Sequence, residues 1–207
     1  MNILIADDHA IVRKGLIQLL REEFGRLYVA EAADSAEVYR ILRDRSWDVI
    51  LLDISMPGRN GVEVLKQLRA EGVRAPILML SMHPEEQYAL RVLKAGASGF
   101  LKKDAAPEEL ITAIHRVLSG RRYITASLAE RMAEEAALGA QSGHEALSDR
   151  EMEVFMLLAA GRAVSEIATE MSLSVNTVST YRTRILEKLL LRTNADITRY
   201  AIDHRLL

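Results

Sequence analysis

The chain contains no cysteine among its 207 residues, which excludes disulfide staples, thiolate catalysis and thiolate metal sites and suits a reducing compartment. It also lacks an excess of charge of either sign. The 27 Lys and Arg residues stand against 29 Asp and Glu, a net charge of -2, so total charge neither demands nor excludes nucleic acid as a partner and local clustering must decide. No apolar run is long enough to span a bilayer. Met1-Asn2-Ile3-Leu4-Ile5-Ala6 leads straight into two aspartates, without the basic region or small-residue cleavage site of a secretory signal. A cytoplasmic protein with no membrane partner is expected. Internal repeats and low-complexity segments are also lacking, and the length favours two domains.

What is present is an alternation. Short apolar runs and amphipathic stretches of helical length succeed one another through the first half, the pattern of a doubly wound parallel sheet wrapped by helices, an α/β (βα)5 unit. The predicted strands are Ile3 to Ala6, Leu27 to Glu31, Val49 to Leu52, Ile77 to Leu80 and Gly99 to Leu101. Helices are expected near Ala10 to Arg21, Ser35 to Arg45, Gly61 to Glu71, Pro84 to Ala95 and Pro107 to Ser119. From Gly120 to Ala146 no strand signal is legible, and this stretch reads as a linker with one short helix around Ser127 to Ala137. Beyond it the chain is wholly helical. Ser148 and Glu151 have capping-box spacing, Gly161 is placed to end that helix, and Ser174 is placed to cap a longer one from Val175 to about Leu189. Short helices near Ser165 to Met171 and Ala195 to His204 flank it. The domains expected are 1–120, a linker at 121–146, and 147–207.

Side chains just past the carboxyl ends of central parallel strands converge on one crevice at the switch point of the strand order. Asp7 and Asp8 follow the first predicted strand and Asp53 ends the third. Gathered carboxylates repel unless a hard cation sits among them, and Mg²⁺ with oxygen ligands is the natural partner. Lys103 follows the fifth strand. A cation and an ammonium around one carboxylate form a clamp for a phosphoryl group, whose equatorial oxygens carry the charge that transfer must neutralise.

The stretch Ile5-Ala6-Asp7-Asp8-His9, the run VILLDISMPGRNG from Val49 to Gly61, Ser81, and Gly99-Phe100-Leu101-Lys102-Lys103 together resemble a flavodoxin-like receiver domain. The resemblance implies that Asp53 accepts a phosphoryl group from a histidine of a sensor kinase. It implies Mg²⁺ held by Asp7, Asp8, Asp53 and the backbone carbonyl of Ser55. Lys103 would bind the phosphoryl oxygen, Ser81 would follow it by hydrogen bond, and Phe100 would occupy the aromatic switch position. Lys103 is followed by Asp104 where many receivers carry proline.

From Ala146 onward basic and acidic residues are equal in number, but Arg182, Arg184, Lys188 and Arg192 lie on or just past one helix, opposed only by Glu187. The same helix is dense in hydroxyls, suited to phosphates and base edges, while Val178, Ile185 and Leu189 fall at core-facing spacing. The segments LSDRE from Leu147, VSEIATEM from Val164 and SVNTVSTYRTRILEKL from Ser174 resemble the all-α, four-helix LuxR-type helix-turn-helix of the NarL/FixJ family. The resemblance implies double-stranded DNA as partner and a homodimer when active. It places Ser179, Thr180 and Thr183 at base edges, and Thr177, Tyr181, Arg182, Arg184 and Lys188 at phosphates or sugars. Ala195, Ile197, Tyr200 and Ala201 resemble that family's dimerisation helix, or fill the domain's own core. Leu190 stands where the family has Gly or Asn, so a different helix ending is expected, because leucine is strained in the left-handed region.

The function implied is a phosphorylation-dependent transcriptional regulator of a two-component system, a signalling protein with at most slow self-dephosphorylation. Two rivals remain open. One is a Mg²⁺-dependent phosphohydrolase with Asp53 as nucleophile, for which Ser55 stands where a second aspartate is needed. The other is a receiver that works through protein contacts without phosphate.

Overall fold

Val49-Ile50-Leu51-Leu52 and Ile77-Leu78-Met79-Leu80 are apolar at every position, so these strands can be buried on both faces only in the middle of a sheet covered by helices. The computed structural model places them there, and describes residues 1–57, 59–82, 85–138, 143–204 and 206–207. Strands β1 (Asn2–Ala6), β2 (Tyr28–Ala32), β3 (Val49–Asp53), β4 (Ile77–Ser81) and β5 (Gly99–Lys102) form one parallel sheet in the order β2-β1-β3-β4-β5. Helices α1 (Ala10–Phe24), α2 (Ser35–Leu42), α3 (Gly61–Ala70), α4 (Glu85–Lys94) and α5 (Pro107–Leu118) make the crossovers. The chain winds outward from β1 in one direction and then returns for β3, so the strand order reverses between β1 and β3. That reversal opens the crevice.

The core divides by strand period. Ile3, Ile5, Val49, Leu51, Leu78, Leu80 and Leu101 pack with Leu20 of α1 and Leu110, Ile114 and Val117 of α5. The alternate residues, among them Leu4, Ile50, Leu52, Met79 and Phe100, are buried as well. Local chemistry sets the helix starts: Asp34 and Asn60 accept the backbone N–H of Glu37 and Glu63, each at 2.9 Å, as N-caps of α2 and α3.

The chain divides into Met1–Arg131 and Met132–Leu207. After α5 the first unit does not become linker at once. Tyr123 bridges Gly99 in parallel, with its N–H 2.8 Å from the Ser98 carbonyl. This corrects the reading of no extended structure past Gly120; a single bridged residue leaves no periodic signal. Helix α6 (Ala126–Leu138) follows. Pro84, the expected start of the fourth helix, lies outside the described residues.

The second unit holds a 3-10 turn (Gly143–Ala146), α7 (Asp149–Ala159), α8 (Val164–Glu170), α9 (Val175–Lys188) and α10 (Asn194–Asp203). Its core includes Met152, Phe155, Leu158, Ile167, Val178, Ile185, Ile197 and Ala201, all nearly inaccessible. The capping box at Ser148 and Glu151 forms, and Ser174 caps α9 through the Thr177 N–H. Among the described residues no helix is long and apolar enough to cross a membrane.

Leu190 departs from expectation. It does adopt the left-handed region, at φ 56°. Its N–H bonds the Glu187 carbonyl at 3.2 Å and the Leu191 N–H bonds that of Leu186 at 2.8 Å, the paired bonds of a Schellman ending. Gly161 after α7 and Ser172 after α8 close their helices with the same pair of bonds. Satisfying two terminal carbonyls outweighs the strain of one leucine.

Candidate functional site

Asp7 is carried past the end of β1 by the hydrogen bond from its N–H to the Ala32 carbonyl, at 3.0 Å. Asp53 is the last residue of β3, paired with Leu80. The N–H of Lys103 bonds the Ser81 carbonyl at 2.8 Å, which fixes the lysine beside both. Lys103 Nζ lies 2.7 Å from Asp7 Oδ2 and 2.7 Å from Asp53 Oδ2. All three side chains are almost wholly buried.

Asp7 and Asp8 do not cap α1, whose N-cap is His9 without a side-chain capping bond. Instead Asp7 Oδ1 accepts the His9 N–H at 2.8 Å, and His9 Nδ1 stands 2.6 Å from Asp8 Oδ1 and 3.3 Å from Asp7 Oδ1. Asp8 is the more exposed carboxylate. Ligand atoms of Asp7, Asp8, His9 and Asp53 all lie within 4.8 Å of one another, so this group could hold a metal ion. The donors are carboxylate oxygens with one imidazole, which fits a hard divalent cation better than a soft one.

Burial pushes the Asp53 carboxyl up to about 6; the hydrogen bond and charge of Lys103 oppose that rise, the charge of Asp7 adds to it, and the Ser55 backbone opposes it. Asp53 is therefore ionised at neutral pH but at a cost. Burial by itself would lower the Lys103 ammonium, yet hydrogen bonds and charge from Asp53 and Asp7 outweigh it and hold the pKa above the ordinary lysine value. The lysine stays charged.

Ser81 is fully buried at the end of β4 and Phe100 is buried in β5. Ser55 is exposed two residues past Asp53. No cis peptide occurs among the described residues. Sequence reasoning missed three contributors. His9, which in the sequence is only the residue following the aspartates, stands against both of them. Arg13, one turn into α1, donates from Nη1 to the Asp7 carbonyl at 2.7 Å. Gly61 starts α3 so close to β3 that a Cβ there would overlap the Asp53 backbone carbonyl, and the Asn60-Gly61 pair was the available signal.

In the second unit, Val178, Ile185 and Leu189 turn inward as their spacing predicts. The opposite side of α9 exposes Ser179, Thr180, Thr183 and Arg184, while Thr177, Tyr181 and Arg182 are half-buried. The Thr180 and Thr183 hydroxyls donate to the carbonyls of Asn176 and Ser179, at 2.9 Å and 3.1 Å. Arg182 Nε donates to Asn194 Oδ1 at 2.6 Å, so α10 orients it. Lys188 Nζ stands 2.5 Å from Glu151 Oε2 and 3.2 Å from the Ala146 carbonyl. Burial raises Glu151, but hydrogen bonds from Lys188 and Ser148 prevail and hold it below its ordinary value. Ile197 and Ala201 of α10 are consumed by the unit's own core, whereas Ile202 is exposed.

Comparison with known proteins bears on both units. The family profile described as "Response regulator receiver domain" matches residues 3–115, and that described as "Bacterial regulatory proteins, luxR family" matches residues 145–201. The response regulator UvrY of Escherichia coli K12 is 36% identical over 208 residues, covering 100% of this chain and 95% of that protein. The oxygen regulatory protein NreC of Staphylococcus carnosus is 35% identical over 215 residues, covering 100% and 99%. Among solved structures, RcsB of Salmonella enterica serovar Typhimurium, bound to promoter rprA with a phosphomimetic, aligns at a TM-score of 0.65 and 27% identity, over 97% of each chain. A LuxR-family response regulator from Aurantimonas aligns at 0.60 and 39% identity, over 66% of this chain and 97% of that one.

Proposed function

The chain belongs to the response regulators, as a two-component transcriptional regulator with a receiver and a LuxR-type DNA-binding domain, and from that premise we propose that Asp53 accepts a phosphoryl group from a histidine of a sensor kinase. The observation that carries this reading is the Lys103 ammonium set 2.7 Å from both Asp7 and Asp53. A buried carboxylate paired to a movable cation is a nucleophile whose partner can follow the incoming group.

Asp7, Asp8, Asp53 and the carbonyl of Ser55 would hold Mg²⁺, and the oxygen-rich donors support that choice. When bound, the ion supplies positive charge against the phosphoryl oxygens. Asp53, ionised above about pH 6, presents an oxygen to phosphorus. The N–P bond of the phosphohistidine breaks as the O–P bond forms, and the imidazole leaves. Lys103 then exchanges the Asp53 oxygen for a phosphoryl oxygen, and the Ser81 hydroxyl hydrogen-bonds to another. Phe100 repacks as that hydroxyl moves. Phosphate is released from Asp53 only slowly, so the protein signals rather than turns over substrate.

The output is DNA binding through α9. Ser179, Thr180 and Thr183 face base edges, and Thr177, Tyr181, Arg182 and Arg184 face the backbone. Lys188 reaches phosphate only by leaving Glu151. One helix of this length buries too little groove for genomic specificity, so two copies bind two half-sites. The receiver spans 1–120 together with the bridged residue Tyr123, the rest of 121–146 is linker and 147–207 the DNA-binding domain, and the protein works in the cytoplasm.

The test is phosphorylation by acetyl phosphate with Mg²⁺, followed by promoter binding. Wild type should incorporate phosphate and bind DNA more tightly afterwards. Incorporation that persists in Asp53→Ala overturns the acceptor assignment, and equal DNA affinity before and after overturns the coupling.

A further inference from the structure

The loops at the amino ends of the strands enclose a second cleft, away from the carboxylates. Its volume is about 540 Å³, and its lining includes Arg74, Arg121 and Arg122 together with Trp47, Pro76 and Leu118. Among the described residues none of the three guanidinium groups has a hydrogen-bond or ion-pair partner, although the Arg121 backbone N–H donates to the Arg116 carbonyl at 3.1 Å. The one acid in the lining, Asp48, accepts the Asn2 N–H at 2.6 Å. Burial, and then the charge of Arg122, pull the neighbouring Arg69 guanidinium below its ordinary value. Trp47 is 8% exposed, and its buried indole N–H has no acceptor among the described residues.

We propose that this cleft binds a phosphorylated small molecule bearing a planar ring, of about nucleotide size. Planar guanidinium forks match phosphate oxygens two at a time. The apolar surface of Trp47, Pro76 and Leu118 in the lining matches the face of a ring. The volume lies within the range of small-ligand sites, about 300–1,000 Å³, and a concave cleft suits a compact ligand better than a rod-shaped polymer. The site is separate from Asp53, since a five-residue strand places its two ends roughly 15 Å apart.

Trp47 is the single tryptophan of the chain, so its emission reports occupancy directly. The full chain is titrated, in EDTA to keep divalent ions off the carboxylates, with ATP, GTP, inorganic pyrophosphate and adenosine. At least one nucleoside triphosphate should give a saturable emission change with a dissociation constant below about 1 mM, a modest affinity for a site of this size. Pyrophosphate and adenosine should each bind at least about tenfold more weakly. Arg121→Ala combined with Arg122→Ala should weaken the nucleotide about tenfold or more, with an unchanged melting curve because both side chains are exposed. Absence of saturation overturns the proposal, as does equal affinity in the double variant. Pyrophosphate binding as tightly as nucleotide removes the ring, and displacement of nucleotide by short duplex DNA reassigns the charge to a polymer backbone; either result also overturns it.

Discussion

Lys188 at the end of α9 and Glu151 in the first turn of α7 form an ion pair of 2.5 Å, with the glutamate almost wholly buried. The pair ties the exposed helix to the base of its own unit. A cation that looked like a phosphate contact is therefore also a structural tie. Because folding lowers the Glu151 pKa, its contribution is present above the ordinary carboxylate pKa and is lost as pH falls through the folded value.

Lys188→Ala should cost about 1–2 kcal/mol of stability in the helical unit, discounted for the lysine's partial exposure. Arg184→Ala should leave urea unfolding unchanged but weaken DNA binding and lower the salt slope by about 1. Comparing unfolding curves with DNA titrations at several salt concentrations separates the two roles. Equal unfolding midpoints for Lys188→Ala and wild type at pH 7 would falsify the tie.

Asp53 titrates near pH 6 when folded, against a reference value of 3.8. Between those values the folded state holds a proton that the unfolded state has released, so stability falls as pH rises through that window. Asp53→Asn should therefore stabilise the metal-free receiver at pH 7 by up to about 3 kcal/mol and have little effect below about pH 4. Denaturant unfolding from pH 4 to 8 checks it, and added Mg²⁺ should shrink the difference.

Gly61→Ala should fail differently. A Cβ at this position meets the backbone carbonyl of Asp53, which cannot swing aside as a side chain can. The expected cost is about 2 kcal/mol or more, together with weaker phosphate incorporation from acetyl phosphate because the acceptor is displaced. Normal melting and normal incorporation would show that α3 yields instead.

Leu190→Gly should stabilise the helical unit by about 1 kcal/mol, since glycine enters the left-handed region without the Cβ conflict. The leucine is 91% exposed, so little packing is lost with its side chain. A midpoint below wild type in chemical unfolding would mean that Leu190 contributes contacts that outweigh its strain.

Much of the molecule was legible residue by residue. Alternating apolar runs and helices located all five strands, and the capping residues Ser148 and Ser174 sit where their spacing put them. Those features depend on neighbours a few positions away. Leu190 was misjudged because its strain is local but its compensation, two hydrogen bonds to the preceding turn, depends on how the helix ends. Tyr123 was missed because one bridged residue carries no period.

The sequence by itself determined the order of elements, the residue types available at each strand end, and therefore the chemistry on offer: carboxylates, a lysine, and a hydroxyl-rich basic helix. Tertiary structure alone decided which of those groups meet. Asp7, Asp53 and Lys103 are far apart along the chain, and only the reversal of strand order between β1 and β3 brings them to one point. The same holds for Glu151 and Lys188, and for the arginines gathered at the opposite pole. Coulomb energy and desolvation depend on distance and burial, which a sequence does not contain until it is folded.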